Sequence, residues 1–191
     1  MRIIAGTLKG RRLAGPTWEG LRPTSDRLRE TLFNVLRGEV GGARVLDACA
    51  GTGALGIEAL SRGAAHVTFV EQDARAAALL ASNLEHCGIA EGYAIIRADL
   101  GSALARLREA PGFDLVLFDP AYDAPDADAL IALAGGRLAP GGLLVYEHAR
   151  RRAAPGRAGP LVRVREIRAG DSALAFYRPA APDAPGGETE S

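Results

Sequence analysis

From Ala43 to Arg178 the chain alternates short apolar runs with helix-like segments, and this alternation constrains its fold more than any other feature. The predicted strands cover residues 44–47, 67–70, 93–97, 113–119, 142–147, 161–167 and 173–177. Helices are predicted between the first five of these strands, over residues 55–61, 73–85, 102–108 and 126–133. Such alternation gives a parallel sheet with helices on both faces. We therefore expect an α/β, Rossmann-like fold with a mostly parallel seven-stranded sheet, closed by an antiparallel C-terminal hairpin.

The alternating region is flanked by segments of different character. The first 22 residues hold short apolar pieces separated by glycines, which predicts a small β-hairpin or an extended arm. Residues 24–37 predict a helix that Thr24 or Ser25 caps. The expected units are an arm over 1–22, one domain over 23–178 and a disordered acidic tail over 179–191.

Composition and charge narrow the class of protein. No apolar run is long enough to cross a bilayer and the first residues lack a signal-peptide pattern, so we expect a cytoplasmic protein, and a monomer. Cys49 and Cys87 match no zinc spacing, so they are expected to be structural and no metal site is predicted. The formal net charge is +0, unlike that of a strongly basic nucleic-acid binder, but residues 1–37 carry eight basic and three acidic side chains. A local excess of this kind attracts phosphate.

A glycine-rich turn joins the first predicted strand to its helix, at residues 47–56. Gly51, Gly53 and Gly56 let the backbone approach a ligand closely, and the helix that follows offers free N–H groups. The same spacing satisfies the dinucleotide fingerprint, so the loop by itself leaves open a nicotinamide cofactor, S-adenosylmethionine or a plain tight turn.

Acidic residues lie at the ends of the first three predicted strands. Glu71, 20 positions after Gly51, can accept hydrogen bonds from both hydroxyls of a ribose, which nicotinamide cofactors and S-adenosylmethionine share. Asp47 favours S-adenosylmethionine, because a carboxylate beneath the loop could face the ammonium group of that cofactor or orient the loop. Asp99 ends the third strand, where it could bind an adenine amine or simply cap the next helix.

The tetrapeptide Asp119-Pro120-Ala121-Tyr122 follows the fourth predicted strand, at the edge where open parallel sheets bind ligands. Because Pro120 holds Asp119 extended, the Asp119 carboxylate and the Pro120 carbonyl can both accept hydrogen bonds from one NH₂ group. The exocyclic amine of a base is a poor nucleophile, and two acceptors stabilise the positive charge that develops on its nitrogen during methylation. Tyr122 offers a face on which the base can stack. A surface Asp-Pro turn is the alternative interpretation.

Several blocks together resemble the RsmD family, whose members methylate the N2 amine of one guanine in bacterial 16S rRNA. The tetrapeptide at 119–122 is similar to the Asn/Asp-Pro-Pro-Tyr/Phe signature of amino-methyltransferases, with Ala121 in place of the usual second proline, a departure that bears on loop rigidity. The similarity runs from Met1 to about Tyr177. Its blocks are residues 2–6, 10–13, 22–34, 47–64 and 70–71, of which 22–34 is the specific part and the glycine loop is generic.

The resemblance implies a class I methyltransferase fold, S-adenosylmethionine as the methyl donor, and 16S rRNA or an assembling small ribosomal subunit as the partner. It implies a catalytic site at Asp119, Pro120 and Tyr122. The implied cofactor-binding residues are Asp47, Ala50, Gly51, Gly53, Glu71, Gln72, Asp99 and Leu100. A cationic donor needs no histidine base. His148 is therefore expected to be a loop histidine and not a catalytic one.

Basic residues of the arm are the predicted RNA contacts: Lys9, Arg11, Arg12 and Arg22, of which the first three lie on an exposed hairpin. The alternatives are a solvated charged arm and, for Arg22, Arg27 or Arg29, packing over the cofactor. The arginines at 150–152 are expected to be mainly solvated. Other functions left open are methylation of another nucleic-acid amine such as adenine N6, a nicotinamide-dependent oxidoreductase, and a non-catalytic RNA-binding factor.

Overall fold

The computed structural model describes residues 1–18, 24–120 and 127–180. Five helices lie in these ranges: α1 (Asp26–Val35), α2 (Ala54–Ser61), α3 (Ala74–His86), α4 (Leu100–Arg106) and α5 (Ala127–Gly135). The strands are β1 (Arg44–Asp47), β2 (His66–Glu71), β3 (Tyr93–Arg97), β4 (Phe113–Phe118), β5 (Leu138–Ala149), β6 (Arg157–Ala158), β7 (Leu161–Ala169) and β8 (Ser172–Pro179).

The strands form one sheet in the order β3-β2-β1-β4-β5-β8-β7-β6. The first five strands along the chain run parallel to one another, and the pairs β5–β8, β8–β7 and β7–β6 are antiparallel. The predicted α/β architecture with a C-terminal hairpin is confirmed. The predicted number of seven strands was wrong by one, since β6 pairs with the start of β7. A strand of two residues shows no periodicity, so the sequence pattern could not reveal it.

Two further boundaries differ from the predictions for local reasons. Helix α4 begins at Leu100 instead of residue 102, because the side chain of Asp99 caps it. Strand β5 begins at Leu138 instead of residue 142, because Leu138 already pairs with Phe113 before the register shifts. Both differences lengthen elements toward a polar or glycine-rich stretch, where hydrophobic periodicity carries no signal.

The sheet separates two apolar cores, and the alternation of side chains along β1 feeds both. Val45 packs with α1, α2 and α3 on one face, where Phe33, Ile57 and Leu80 are buried. Leu46 packs on the other face, with α4 and α5. This two-sided burial is what a parallel sheet requires, because helices must cover both of its faces.

The first 14 residues are docked on this frame. Ile3 and Leu13 are 1% and 4% exposed and belong to the core that α1, α2 and α3 cover. A single antiparallel bridge between Arg2 and Arg12 closes the segment, so the predicted hairpin is present without an extended ladder. The Glu58 carboxylate accepts hydrogen bonds from the backbone N–H groups of Ile4 at 2.8 Å and Ala5 at 3.1 Å.

A buried ionic network ties the arm to α1 and α2. Arg29 is 0% exposed and donates to Asp26 Oδ1 at 2.6 Å and to the Arg2 carbonyl at 2.8 Å. Glu58, also 0% exposed, lies 3.9 Å from Arg29 Nη1 and accepts from Arg62 Nε at 2.7 Å. Buried charges are tolerated when they are paired and hydrogen-bonded. The structure therefore assigns Arg29 to this network, which removes it from the arginines predicted to pack over a cofactor.

Within the described ranges, no helix has both the length and the apolar character that crossing a membrane requires.

Candidate active site

The carboxyl ends of β1, β2 and β4 meet at one edge of the sheet. Asp47, the last residue of β1, pairs with Phe69 of β2 on one side and with Leu117 of β4 on the other. The Ala48 N–H donates to the Leu117 carbonyl at 2.8 Å, so the glycine loop begins directly beside the segment that carries Asp119. This edge is where ligands bind in open parallel sheets.

The glycine loop uses backbone conformations that favour glycine. Gly51 has φ 54° and Gly53 has φ 81°, both in the left-handed region. A Cβ on Gly53 would lie 2.2 Å from Leu80 Cδ1, so a larger residue would require the buried Leu80 side chain to shift. Ala50 N–H donates to the Val70 carbonyl at 2.9 Å, which fixes the loop against the end of β2.

Glu71 ends β2 and holds the loop from the side. Its Oε2 accepts a hydrogen bond from the Gly51 N–H at 2.8 Å, and its Oε1 accepts from the Asp73 N–H at 2.8 Å. Gln72 between them is exposed. The carboxylate is half-buried, at the point where the loop turns away from the sheet. It can bind the hydroxyls of a ribose laid along this edge.

Asp47 lies beneath the loop and is 1% exposed. Its Oδ2 accepts from the Gly56 N–H at 2.9 Å, whereas its Oδ1 is buried without a hydrogen-bond partner in the described part of the chain. Burial raises the pKa of Asp47 to about 7; the Gly56 N–H opposes this, and the charges of Asp119 and Glu71 add to it. A buried carboxylate with one unpartnered oxygen is suited to a cationic ligand, because a cation would offset both effects.

The cysteines are free thiols, Cys49 half-buried and Cys87 buried. Burial, followed by the charge of Asp47, raises the pKa of the Cys49 thiol well above its usual value. The thiolate is the reactive form of cysteine, so Cys49 is not an activated nucleophile despite its place in the loop.

Asp99 caps α4 by accepting a hydrogen bond from the Ser102 N–H at 2.9 Å. This bond holds the pKa of Asp99 below its usual value. Its side chain is exposed and Leu100, directly after it, is buried. The capping alternative for Asp99 is thus realised, while contact with an adenine amine stays a prediction.

Asp119 follows β4, one residue beyond Phe118. The Thr24 hydroxyl donates to Asp119 Oδ2 at 2.5 Å. Asp119 is half-buried and Pro120 is buried. The charge of Asp119 adds to the rise in the pKa of Asp47 that burial causes. Ala121 and Tyr122 lie outside the described residues, so the predicted stacking by Tyr122 stays a prediction.

The structure decides between the two predicted caps of α1 and corrects the assignment of one histidine. Ser25 accepts from the Leu28 N–H and caps α1, which leaves the Thr24 hydroxyl for Asp119. His148 lies inside β5, is 2% exposed and stacks on Tyr146 with ring centroids 5.1 Å apart, so its assignment to a loop was wrong. The cause is that β5 runs two residues further than the predicted strand.

Asn83 of α3 joins the arm to the glycine loop. Its amide donates to the carbonyls of Thr52 at 3.0 Å and Ala14 at 3.2 Å, and its oxygen accepts from the Ala14 N–H at 2.8 Å. The available signal was a polar residue on the buried face of α3, three positions after Leu80.

The basic hairpin lies toward the opposite end of the helices from Asp119. Lys9, Arg11 and Arg12 are exposed, as predicted, and Arg11 Nη1 donates to the carbonyl of His86 at 3.4 Å. His86 is the last residue of α3. Arg22 lies outside the described residues.

Comparison with known proteins identifies relatives along nearly the whole chain. The family model described as "Conserved hypothetical protein 95" matches residues 1–178. The chain is 36% identical to the "Putative rRNA methyltransferase YlbH" of Bacillus subtilis over 93% of this chain and 98% of that protein. It is 42% identical to "Ribosomal RNA small subunit methyltransferase D" of Haemophilus influenzae over 70% of this chain and 69% of the relative.

A solved structure shares the fold. The "Putative methyltransferase yhhF from Escherichia coli" superposes with a TM-score of 0.80 at 35% identity, covering 95% of this chain and 99% of that one. The predicted methyltransferase fold is confirmed.

Proposed function

This chain belongs to the RsmD family of rRNA methyltransferases, and we propose that it transfers a methyl group from S-adenosylmethionine to the exocyclic N2 amine of a guanine in 16S rRNA. The observation that carries the proposal is the placement of Asp119 and Pro120 beside the glycine loop, through the pairing of β4 with β1. A base amine held by these two acceptors would lie next to a cofactor held by the loop.

Residues of the loop fit S-adenosylmethionine on three grounds. The unpartnered buried oxygen of Asp47 suits its ammonium group, and the half-buried carboxylate of Glu71 suits its ribose hydroxyls. Gly51 and Gly53 have positive φ angles and no side chains, so the loop backbone can approach the cofactor closely. The remaining predicted contacts are Ala50, Gln72, Asp99 and Leu100. When bound, the cofactor supplies an electrophilic methyl carbon on a sulfonium.

The target side acts on charge and position. The Asp119 carboxylate and the Pro120 carbonyl accept the two amine hydrogens, which directs the nitrogen lone pair away from the base ring. They stabilise the positive charge that develops on nitrogen, and loss of one such acceptor typically lowers a rate by about 10²–10³-fold. Tyr122 completes the proposed site by stacking on the base. Alignment of the amine nitrogen with the methyl carbon of the donor would account for the remaining rate enhancement.

The exposed basic residues of the hairpin are the proposed RNA contacts, together with Arg22. Lys9, Arg11 and Arg12 are exposed on the segment that docks at the C-terminal end of α3, where they would hold phosphates of the RNA. Such contacts position the RNA without reading its sequence.

The activity test uses labelled S-adenosylmethionine and 16S rRNA, naked or in small-subunit particles, from cells that lack the modification. We expect label in N2-methylguanosine after digestion to nucleosides. Label in N6-methyladenosine would show that the target is an adenine and not a guanine. A rise in melting temperature with NAD but none with S-adenosylhomocysteine would contradict the proposed cofactor.

The hairpin test reverses charge with Arg11→Glu and Arg12→Glu. We expect RNA affinity to fall and the salt dependence of binding to decrease. The matched control reverses Arg106 and Arg108, which are exposed at and after the end of α4. Unchanged RNA affinity of the hairpin variant at low salt would remove the hairpin from the docking surface.

A further inference from the structure

The N-terminal segment contacts the catalytic carboxylate through one hydroxyl. Thr24 Oγ1 donates to Asp119 Oδ2 at 2.5 Å, across 95 positions of sequence. Hydroxyl-to-carboxylate bonds of about 2.5–2.7 Å are the short, charge-assisted kind. Thr24 and Asp119 are both half-buried, which shields the bond from competing water without removing it from the edge where a base would enter.

The backbone that carries Thr24 is firmly held on its C-terminal side. Ser25 caps α1 through the Leu28 N–H at 3.2 Å, and the Arg29 N–H donates to the Ser25 carbonyl at 3.0 Å. Arg29 itself is fully buried and bonded to Asp26 and to the Arg2 carbonyl. The backbone bonds of Ser25 and Arg29 therefore hold the Thr24 hydroxyl in place. The hydroxyl in turn holds the Asp119 carboxylate that accepts its hydrogen bond.

We propose that Thr24 is a positioning residue for methyl transfer, which orients the Asp119 carboxylate toward the target amine. This inference rests on the proposed function. A carboxylate accepts an amine hydrogen well only in a narrow range of rotation, and a preformed acceptor needs no reorganisation as charge develops. Thr24 is neutral, so it orients Asp119 without removing the negative charge on which the stabilisation depends. It is expected to act on the chemical step and to leave both substrates' binding unchanged.

The test compares Thr24→Val, which keeps the shape but removes the hydroxyl, with Thr24→Ser, which keeps the hydroxyl. We expect Thr24→Val to lower kcat with saturating RNA and donor by at least tenfold. The KM for RNA and the Kd for S-adenosylhomocysteine should stay within twofold of the wild type. Thr24→Ser should restore kcat to within threefold. The control is Thr31→Val, since the Thr31 hydroxyl bonds only the Arg27 carbonyl of its own helix among the bonds described.

The outcomes separate this inference from the function on which it rests. A wild-type protein without methyl transfer overturns both. An active wild type overturns the role of Thr24 alone if Thr24→Val keeps kcat within threefold, if its loss appears in KM or cofactor Kd, or if Thr24→Ser does not rescue it.

A second, independent observation concerns the arginines directly after β5. Tyr146 pairs with Phe118, so Ala149 extends three residues beyond the end of β4, about 10 Å at 3.3 Å per residue. Arg150 and Arg151 follow, and both are exposed. No ion pair within the described ranges uses either of them. They therefore project from the catalytic edge, beside the strand that carries Asp119.

This placement differs from that of the basic hairpin, which docks on the C-terminal end of α3. A base bound at Asp119 must leave its stack, so the phosphates on either side of it are brought to the catalytic edge. The geometry points to Arg150 and Arg151 as the cations that hold these flanking phosphates of the RNA. The backbone of Arg150 is fixed by its N–H bond to the Asp171 carbonyl at 2.7 Å.

Charge reversal tests this surface. Arg150→Glu with Arg151→Glu should weaken binding of 16S rRNA at low salt at least tenfold and reduce the slope of log affinity against log salt by about 2. The affinity for S-adenosylhomocysteine should not change. The control reverses Arg106 and Arg108. If wild type binds RNA, then an unchanged affinity of the double variant, or an equal loss in the control, overturns the assignment.

Discussion

The two sides of the catalytic edge are held in different ways. On the proposed cofactor side, the glycine loop is bonded by residues of the first two strand–helix units, β1–α2 and β2–α3: Glu71 accepts from Gly51, Asp47 accepts from Gly56, and Asn83 donates to Thr52. On the target side, Asp119 accepts from Thr24, which precedes the whole sheet. Under the proposed roles, cofactor affinity would depend on the α/β frame, and the chemical step would depend also on the N-terminal segment.

The largest expected effect lies on the target side. Asp119→Ala should lower kcat by about 10²–10³-fold, because it removes an acceptor for the developing charge. The Kd for S-adenosylhomocysteine should stay within about twofold. Asp114→Ala, at the other end of β4, is the control and should retain kcat. An Asp119→Ala enzyme with wild-type kcat would contradict the role assigned to this carboxylate.

A substitution on the proposed cofactor side should have the opposite effect: the Kd for the cofactor product should change and kcat should not. Glu71→Ala removes the acceptor of the Gly51 N–H and the proposed ribose contact, and hydrogen bonds to a charged group contribute about 1.5–3 kcal/mol. Calorimetry should show S-adenosylhomocysteine affinity about 10–100-fold weaker, with kcat at saturating donor little changed. Glu85→Ala on the exposed side of α3 is the control. Equal affinities for the two variants would mean that Glu71 does not contribute to cofactor binding.

Alanine substitutions at two glycines distinguish the effect of packing in the loop from the effect of backbone strain on stability. Gly53→Ala and Gly63→Ala both place a side chain at positive φ, which destabilises by about 1–2 kcal/mol. Only the Cβ at position 53 meets Leu80, because nothing lies within 4 Å of the one at position 63. Chemical denaturation should therefore show a further loss of about 1–3 kcal/mol for Gly53→Ala, together with weaker S-adenosylhomocysteine binding. Equal losses for both variants would mean that the loop yields to the added methyl.

The smallest expected effect is a pH dependence of cofactor affinity. Because burial raises the pKa of Asp47 to about 7 from an ordinary 3.8, the folded protein without ligand binds a proton here that the unfolded chain has released. Its stability contribution is present below the unfolded value and is lost as pH rises through about 7. A ligand ammonium beside Asp47 lowers its pKa, so S-adenosylhomocysteine should bind about tenfold more weakly at pH 6 than at pH 8 and release a proton at pH 6.

Asp47→Asn provides the matched measurement. The variant cannot ionise at this position, so its affinity should not change with pH over this range, and its stability at pH 8 should exceed that of the wild type without ligand. An equal pH dependence in both proteins would locate the titrating group elsewhere.

Sequence alone predicted the sheet, the glycine loop and the positions of Asp47, Glu71 and Asp119 at one edge, because local patterns and parallel-strand topology determine them. It did not predict the partners that join distant segments. Thr24 reads equally well as a helix cap, and Glu58 as an ordinary charge on a short helix, until the fold brings each to its partner. Sequence spacing holds no signal for bonds across 54 or 95 positions.

In the described part of the chain, the short β6 pairs with only the start of β7 at one margin of the sheet. It pairs only with Leu161 and Val162, and beyond them β7 has a register shift between Arg163 and Arg165. Natural sheets use irregular backbone and long charged side chains at such margins to prevent strands of other molecules from adding to them. We therefore expect the arginines of β7 to oppose the addition of a strand from another molecule at this margin.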